Sequence, residues 1–216
     1  MVPLQFQRYP EEEMRQRADA MFADLERRRS VRFFSDEPIP LDVVRRAVHV
    51  AGQAPSGAHK QPWRFVLVTD PQIKREIRLA AEAEERETYA HRMSEEWREA
   101  LRPIGTDWQK PFLETVPAIV VVFRVDYGVD EDGNRSKNYY VQESVGLAAG
   151  MLIAALHHAG LATLTHTPSP MNFLAKILRR PTNERAFLLL PVGYPSADCV
   201  VPDFDRKPLD EILVEV

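Results

Sequence analysis

The sequence predicts a single layered domain of the α/β or α+β class, and three observations carry that prediction. Four strand-like apolar runs, WRFVLVTD, PAIVVVFRV, LATLTHT and RAFLLLPVGYP, are separated by segments whose apolar residues recur at steps of three and four. Residues 139–158 are helical in pattern and apolar almost all round, as expected of a central buried helix. No linker divides the 216 residues, and at about 150 residues per domain one large domain is the first expectation. Periodicity leaves the strand directions open.

The elements follow in order. Met14, Ala18, Met21, Phe22 and Leu25 predict an amphipathic helix over residues 10–30, and residues 1–9 read as an arm, frayed or laid on another surface. Pro40 precedes a second helical pattern, Leu41, Val44, Ala47, Val48 and Ala51, which breaks from Gly52 through Pro55, Ser56 and Gly57. After the first strand, Asp70 and Pro71 mark a helix start, with Asp as N-cap. Residues 72–102 are strongly charged. Ile73, Ile77, Leu79 and Ala80 give an apolar edge at first, but residues 82–99 are mostly polar, as in a solvent-facing or mobile helix. The second strand is followed by DYGVDEDGNRS, read as a surface loop. Gly160 closes the apolar helix, LATLTHT is the third strand, residues 172–179 form a short helix, and RAFLLLPVGYP is the fourth strand. The tail KPLDEILVEV has no partner of its own and is expected to pack on something.

Composition excludes several classes. Apolar residues make up 44% and charged residues 28%, enough for a sizeable core and unlike a disordered or collagen-like chain. The formal charge of −4 argues against non-specific nucleic-acid binding, which needs a basic footprint. A lone cysteine, Cys199, excludes an internal disulfide framework and a multi-cysteine zinc site, and fits a reducing compartment. The N-terminal segment is too polar for a secretory signal, and the longest apolar stretch is about half of a membrane span. The expectation is a soluble, unanchored, cytoplasmic protein.

Four constellations could carry chemistry. Arg27, Arg28, Arg29, Ser30, Val31 and Arg32 offer planar forks that match phosphate oxygens, although such a run also suits a solvated helix end. Residues 54–59, APSGAH, could present backbone N–H groups to a ligand or form an ordinary turn. Thr165, His166 and Thr167 sit at a strand end, where hydroxyls face a ligand or bond the local backbone. Glu85 and Tyr89 share a helical face, and with Lys110 they could clamp a zwitterion; a solvent-facing pair is the alternative. The phosphate-binding, metalloprotease and nucleophile-elbow motifs are missing, and adjacent His157 and His158 are expected to point to different sides of a helix, so no metal site is predicted. Cys199 reads as a structural or surface thiol.

Together these residues resemble the flavin-dependent nitroreductase superfamily and, more narrowly, its iodotyrosine deiodinase branch. From residue 25 to the end, RRSVRFFS, APSGAHKQPW, EERETYAHRM, TDWQKPFLET, THTP, LLPVGYP and DRKPLDEI match in order. RRSVR and PSGAH are shared more loosely across the superfamily, whereas the Glu–Tyr–Lys set marks the deiodinase branch. The resemblance implies an α+β nitroreductase-like fold, a mixed and mainly antiparallel sheet flanked by helices, as an intertwined homodimer with the arm and the tail at 207–216 on the partner subunit. It implies an FMN cofactor held by Arg28, Arg29, Ser30, Val31 and Arg32, by Ser56, and by Arg206 across the dimer interface. Thr165, His166 and Thr167 line the isoalloxazine, with the Thr167 hydroxyl close to flavin N5 as the catalytic contact. Ala58 gives its N–H to a substrate phenolate, and Glu85, Tyr89 and Lys110 bind the amino-acid zwitterion and close a lid over residues 82–112. The implied reaction is reductive dehalogenation of halotyrosine, 3-iodo-L-tyrosine to L-tyrosine and iodide, by stepwise electron transfer from reduced FMN. His166 departs from a threonine-rich run usual in the animal enzymes, and Lys60 from an uncharged residue. The alternatives are a general NAD(P)H-dependent nitroreductase, against which the Glu–Tyr–Lys set argues, and a non-enzymatic flavin or amino-acid sensor, which leaves the arginines and Thr167 without a joint purpose.

Overall fold

The most apolar run of the chain is the centre of the sheet. In a computed structural model describing residues 1–216, β2 (Ala118–Val125) lies between β1 (Trp63–Val68) and β6 (Glu184–Gly193), and β5 (Ala162–Thr163) extends β6 on its far side. Every strand pairing is antiparallel, and one parallel bridge, Ser30 to Thr163, adds the mixed character. Ala118, Val120 and Val122 face one core with Leu188, Leu190 and Val192; Ile119, Val121 and Phe123 face another with Leu189. Both faces are covered, so β2 reads as a continuous apolar run rather than an alternating one.

Helices α2 (Leu41–Ala51) and α6 (Val141–His158) cover the first face. α3 (Pro71–Glu87), α5 (Phe112–Thr115) and α7 (Asn172–Ile177) cover the second. Asp70 caps α3 by accepting from the Ile73 N–H at 3.0 Å, as its position beside Pro71 predicts. α1 (Glu11–Glu26) lies against α6.

The structure corrects several readings. α1 stops at Glu26 rather than near residue 30, because the chain turns there to join the sheet edge, with the Val31 N–H donating to Thr163 O at 3.1 Å. Residues 161–167 are not one strand. Thr163 opposes Val192 and His166 opposes Leu189 in the same register, but the residue between them on β6 that should donate is Pro191, which has no N–H. The ladder therefore opens at Leu164 and Thr165 and closes again at His166. The acidic loop contains a hairpin, β3 (Tyr127–Val129) with β4 (Arg135–Lys137), whose turn is held by Asp130 accepting from Asn134. α6 is buried on one side only: Val145, Leu152 and Leu156 are sealed, whereas Leu147 is exposed. His157 and His158 do not diverge; both reach Asp24 of α1, one at its carbonyl and one at its carboxylate. The arm, α8 (Leu209–Ile212) and the rest of the tail leave Leu4, Phe6, Leu209, Ile212 and Val214 uncovered within one chain. No helix is long and apolar enough to cross a membrane.

The loop after α2 is strained. Ala58, His59 and Gln61 all have left-handed backbone, φ 49°, 54° and 47°, a conformation that costs a non-glycine residue about 1–3 kcal/mol and concentrates at functional sites. Gly57 seats this loop against the start of α6, where a Cβ would fall 2.7 Å from Tyr139 O and 2.9 Å from a Tyr140 ring carbon. Gly57→Ala is expected to destabilise the fold by about 2 kcal/mol through this overlap, read as a lower urea midpoint at unchanged slope.

Candidate active site

Two cavities meet at Arg32. The first is lined by Arg28, Arg29, Ser30, Arg32 and Arg206. The Ser30–Thr163 bridge pins this run to the edge of the sheet, beside the segment 165–167. Arg206, distant in sequence, folds onto its own chain here, donating to the carbonyls of Glu26 (2.6 Å) and Arg28 (2.5 Å). Arg29 donates to the carbonyl of Pro202. None of these four guanidiniums has a carboxylate within 4 Å. Burial, then repulsion from Arg206 and Arg29, pulls Arg28 below its usual range. Four guanidiniums without a carboxylate, with Arg28 repelled by Arg206 and Arg29, fit a phosphomonoester dianion, which supplies the missing charge and the acceptors. Val31 is different: its side chain is buried in the core and its N–H is taken by Thr163, so it orders the run through its backbone.

The second cavity is lined by Arg32, Thr165, His166 and Thr167 together with Glu85, Tyr89 and Lys110. The structure thus brings together the three residues that sequence grouped only as a possibility. The end of α3 carries Glu85; a π-helical turn, Thr88–Arg92, carries Tyr89; Lys110 follows α4 (Glu95–Leu101). Tyr89 OH donates to Thr106 O at 3.1 Å, and Lys110 Nζ donates to Thr106 Oγ1 at 3.2 Å. Glu85 and Lys110 stand 3.8 Å apart, close enough to attract and too far to hydrogen-bond. Burial raises the Glu85 carboxyl above its usual range against the pull of Lys110, and burial lowers the Lys110 ammonium against the pull of Glu85 and Asp107. Desolvation therefore outweighs their attraction. A zwitterion entering between them offers an ammonium to Glu85 and a carboxylate to Lys110.

Two features were missed in sequence. Glu82 is buried and accepts from the Lys110 N–H (2.8 Å) and from Arg78 (3.0 Å), which itself reaches Glu114 (2.8 Å), so a network anchors Lys110. Its Arg78 spacing was readable, but its tie to Lys110 is non-local. Met93, Trp97 and Leu101 give the cavity an apolar side, and their four-residue spacing was a readable signal within the polar stretch. The loop carrying Ser56 and Ala58 lines neither cavity. It lies at the start of α6, where Gly57 bridges Tyr139 and Ser56 Oγ accepts from the Gln61 N–H at 2.9 Å.

His166 is buried in this wall, and burial, then the charges of Lys110 and Arg32, hold it down from 6.5 to about 3. The unfolded chain binds a proton there below about pH 6.5 and the native protein does not, so this group's contribution to stability falls as pH falls, by about 1.4 kcal/mol per unit. Between pH 7 and pH 5 the native protein is expected to lose about 2 kcal/mol more stability than His166→Leu, compared by urea unfolding at both pH values.

Comparison with known proteins extends these observations. The nitroreductase family model matches residues 25–194. An iodotyrosine deiodinase of Haliscomenobacter hydrossis is 57% identical over 213 residues, covering 99% of this chain and 96% of that protein. Human iodotyrosine deiodinase 1 is 44% identical over 216 residues, covering all of this chain and 75% of that one. A crystal structure of oxidized iodotyrosine deiodinase bound to FMN and 3-iodo-L-tyrosine superposes with a TM-score of 0.78 at 32% identity, over 90% of this chain and 97% of that one. A Bacteroides fragilis nitroreductase with bound FMN shares the fold, at TM-score 0.66 and 18% identity.

Proposed function

The chain belongs to the nitroreductase family, with iodotyrosine deiodinases among its relatives, and on that premise we propose that it is an FMN-dependent halotyrosine dehalogenase converting 3-iodo-L-tyrosine to L-tyrosine and iodide. The observation that carries this reading is the Glu85–Tyr89–Lys110 cluster lining one cavity with the 165–167 segment. When bound, FMN would supply two electrons, one at a time, which with one proton at the ring carbon would replace the carbon–iodine bond by carbon–hydrogen and release iodide.

The chain's own residues do the rest. Arg28, Arg29, Arg32 and Arg206 hold the phosphate end, with Ser30 beside them. Thr165 and Thr167 would line the flavin ring, and the Thr167 hydroxyl would donate to it. Glu85 takes the substrate ammonium, while Lys110 and Tyr89 take its carboxylate. This clamp rejects nitroarenes and simple phenols, because a ligand without charged ends does nothing to offset the burial of Glu85 and Lys110. The residues from Glu82 through Phe112 act as a lid that closes on the amino-acid end.

Ser56 and Ala58 enter the site from a second copy of the chain, with Ala58 N–H meeting the substrate phenolate. Support comes from the strain of that loop, its absence from the lining of the chain's own cavities, and the uncovered apolar residues of α6, arm and tail. The functional unit is then a homodimer, and its compartment the cytoplasm. The reading is tested by titrating oxidised holoenzyme with 3-iodo-L-tyrosine and with 2-iodophenol, following flavin fluorescence. Iodotyrosine should quench it at far lower concentration; equal potency of the phenol would remove the case for a zwitterion clamp and favour the nitroreductase alternative.

A further inference from the structure

One polar group in the cavity wall has no role in the reaction as described. His166 is 8% exposed and stands edge-on to Phe112, ring centroids 5.7 Å apart at 83°. Its backbone is fixed on both sides, donating to Leu189 O at 2.9 Å and accepting from Leu189 N–H at 3.0 Å. Its Nε2 is the one side-chain polar atom in the chain both sealed from water and without a hydrogen-bond partner. Nδ1 has no protein partner either, but it is not sealed, so it opens on the cavity that His166 lines. The charged groups acting on the ring are Lys110 and Arg32, with Glu85 and Tyr89 also in the cavity.

These facts select one form of the imidazole. The doubly protonated ring places a buried charge beside two cations. Of the two neutral tautomers, Nε2–H seals a donor away from any acceptor, whereas Nδ1–H leaves only an acceptor unused, the smaller penalty. The tautomer follows from the partners that each nitrogen can find.

We propose that His166 is a fixed neutral hydrogen-bond donor, Nδ1–H, aimed at an acceptor of the flavin ring, and that it raises the flavin's reduction potential. The inference rests on the flavin reading above. A threonine hydroxyl at this position can rotate, and can donate or accept; the Nδ1–H group only donates. A donor stabilises an acceptor more as that acceptor gains negative charge, and reduction adds negative charge to the ring.

Two measurements decide it. In 15N-histidine-labelled holoenzyme, long-range 1H–15N spectra should show one histidine, missing from His166→Asn, in the Nδ1–H tautomer and unchanged from pH 5 to pH 9. By potentiometry, His166→Leu should lower the midpoint potential by about 30 mV, the two-electron equivalent of a tenfold loss, while His166→Asn, which keeps a donor, stays at the native value. An Nε2–H tautomer, titration within that pH range, or an unchanged potential in His166→Leu overturns the proposal. A purified protein free of FMN overturns the flavin reading instead, and the tautomer spectrum then decides the state of His166 by itself.

Discussion

Glu85→Gln is expected to keep its full complement of FMN and to bind 3-iodo-L-tyrosine about 100-fold more weakly. The Glu85 side chain is 16% exposed and that of Lys110 only 4%. In the free protein burial already presses both toward their neutral forms. Bound substrate relieves that pressure by giving each an opposite charge. A hydrogen bond to a charged group contributes about 1.5–3 kcal/mol, and the upper end applies in a site closed to water, about two decades in Kd. The amide keeps the shape of Glu85 but loses its charge, so the ligand ammonium is left without a counter-charge. Lys110→Met should show the same loss through the substrate carboxylate. Flavin absorbance gives the FMN content, and fluorescence quenching gives the affinity. An unaltered affinity in Glu85→Gln means that the clamp is wrong.

The arginine cluster carries the other large effect. Arg28→Gln combined with Arg32→Gln is expected to weaken FMN binding about a thousandfold while leaving the apo fold at least as stable. Each guanidinium gives a charge-assisted contact of about 2 kcal/mol, and two together approach 4 kcal/mol. Neither has a carboxylate partner whose loss would strand a buried charge. Burial and the neighbouring Arg206 and Arg29 press against Arg28, so its removal relieves strain in the empty site. Binding and stability pull in opposite directions here, as they do in sites held ready for a ligand. Full flavin occupancy in the double variant, with the melting temperature lowered, would mean that these arginines serve the fold.

What the chain shows before folding follows the range of each interaction. α2, β1, β2 and the core side of α6 are legible because their patterns are local. The opening of the ladder at Leu164 and Thr165 is not, because its cause, Pro191, sits on another strand. The three-residue strands of the hairpin at 127–137 are too short to show alternation. His157 and His158 converge because α1 presents one Asp24 to both, which no spacing within α6 reveals. Within the site, Glu85 and Tyr89 are neighbours by helical geometry, but Lys110 joins them only through the fold, with Glu82 fixing its backbone. The arginine run is visible as a charge exception in an acidic chain; its place beside residues 165–167 depends on the Ser30–Thr163 bridge, and its junction with Arg206 on bonds to the Glu26 and Arg28 carbonyls. Ser56 and Ala58 are legible as a loop, but within one chain that loop lines neither cavity.

In the proposed reaction, one cavity holds a halotyrosine by its charged end against a reducing flavin. This is tested most directly by mixing the anaerobically reduced holoenzyme with 3-iodo-L-tyrosine and measuring iodide and L-tyrosine as the flavin reoxidises. About one iodide and one L-tyrosine are expected per flavin reoxidised. Reduced, FMN-loaded protein that binds iodotyrosine and releases no iodide would contradict it.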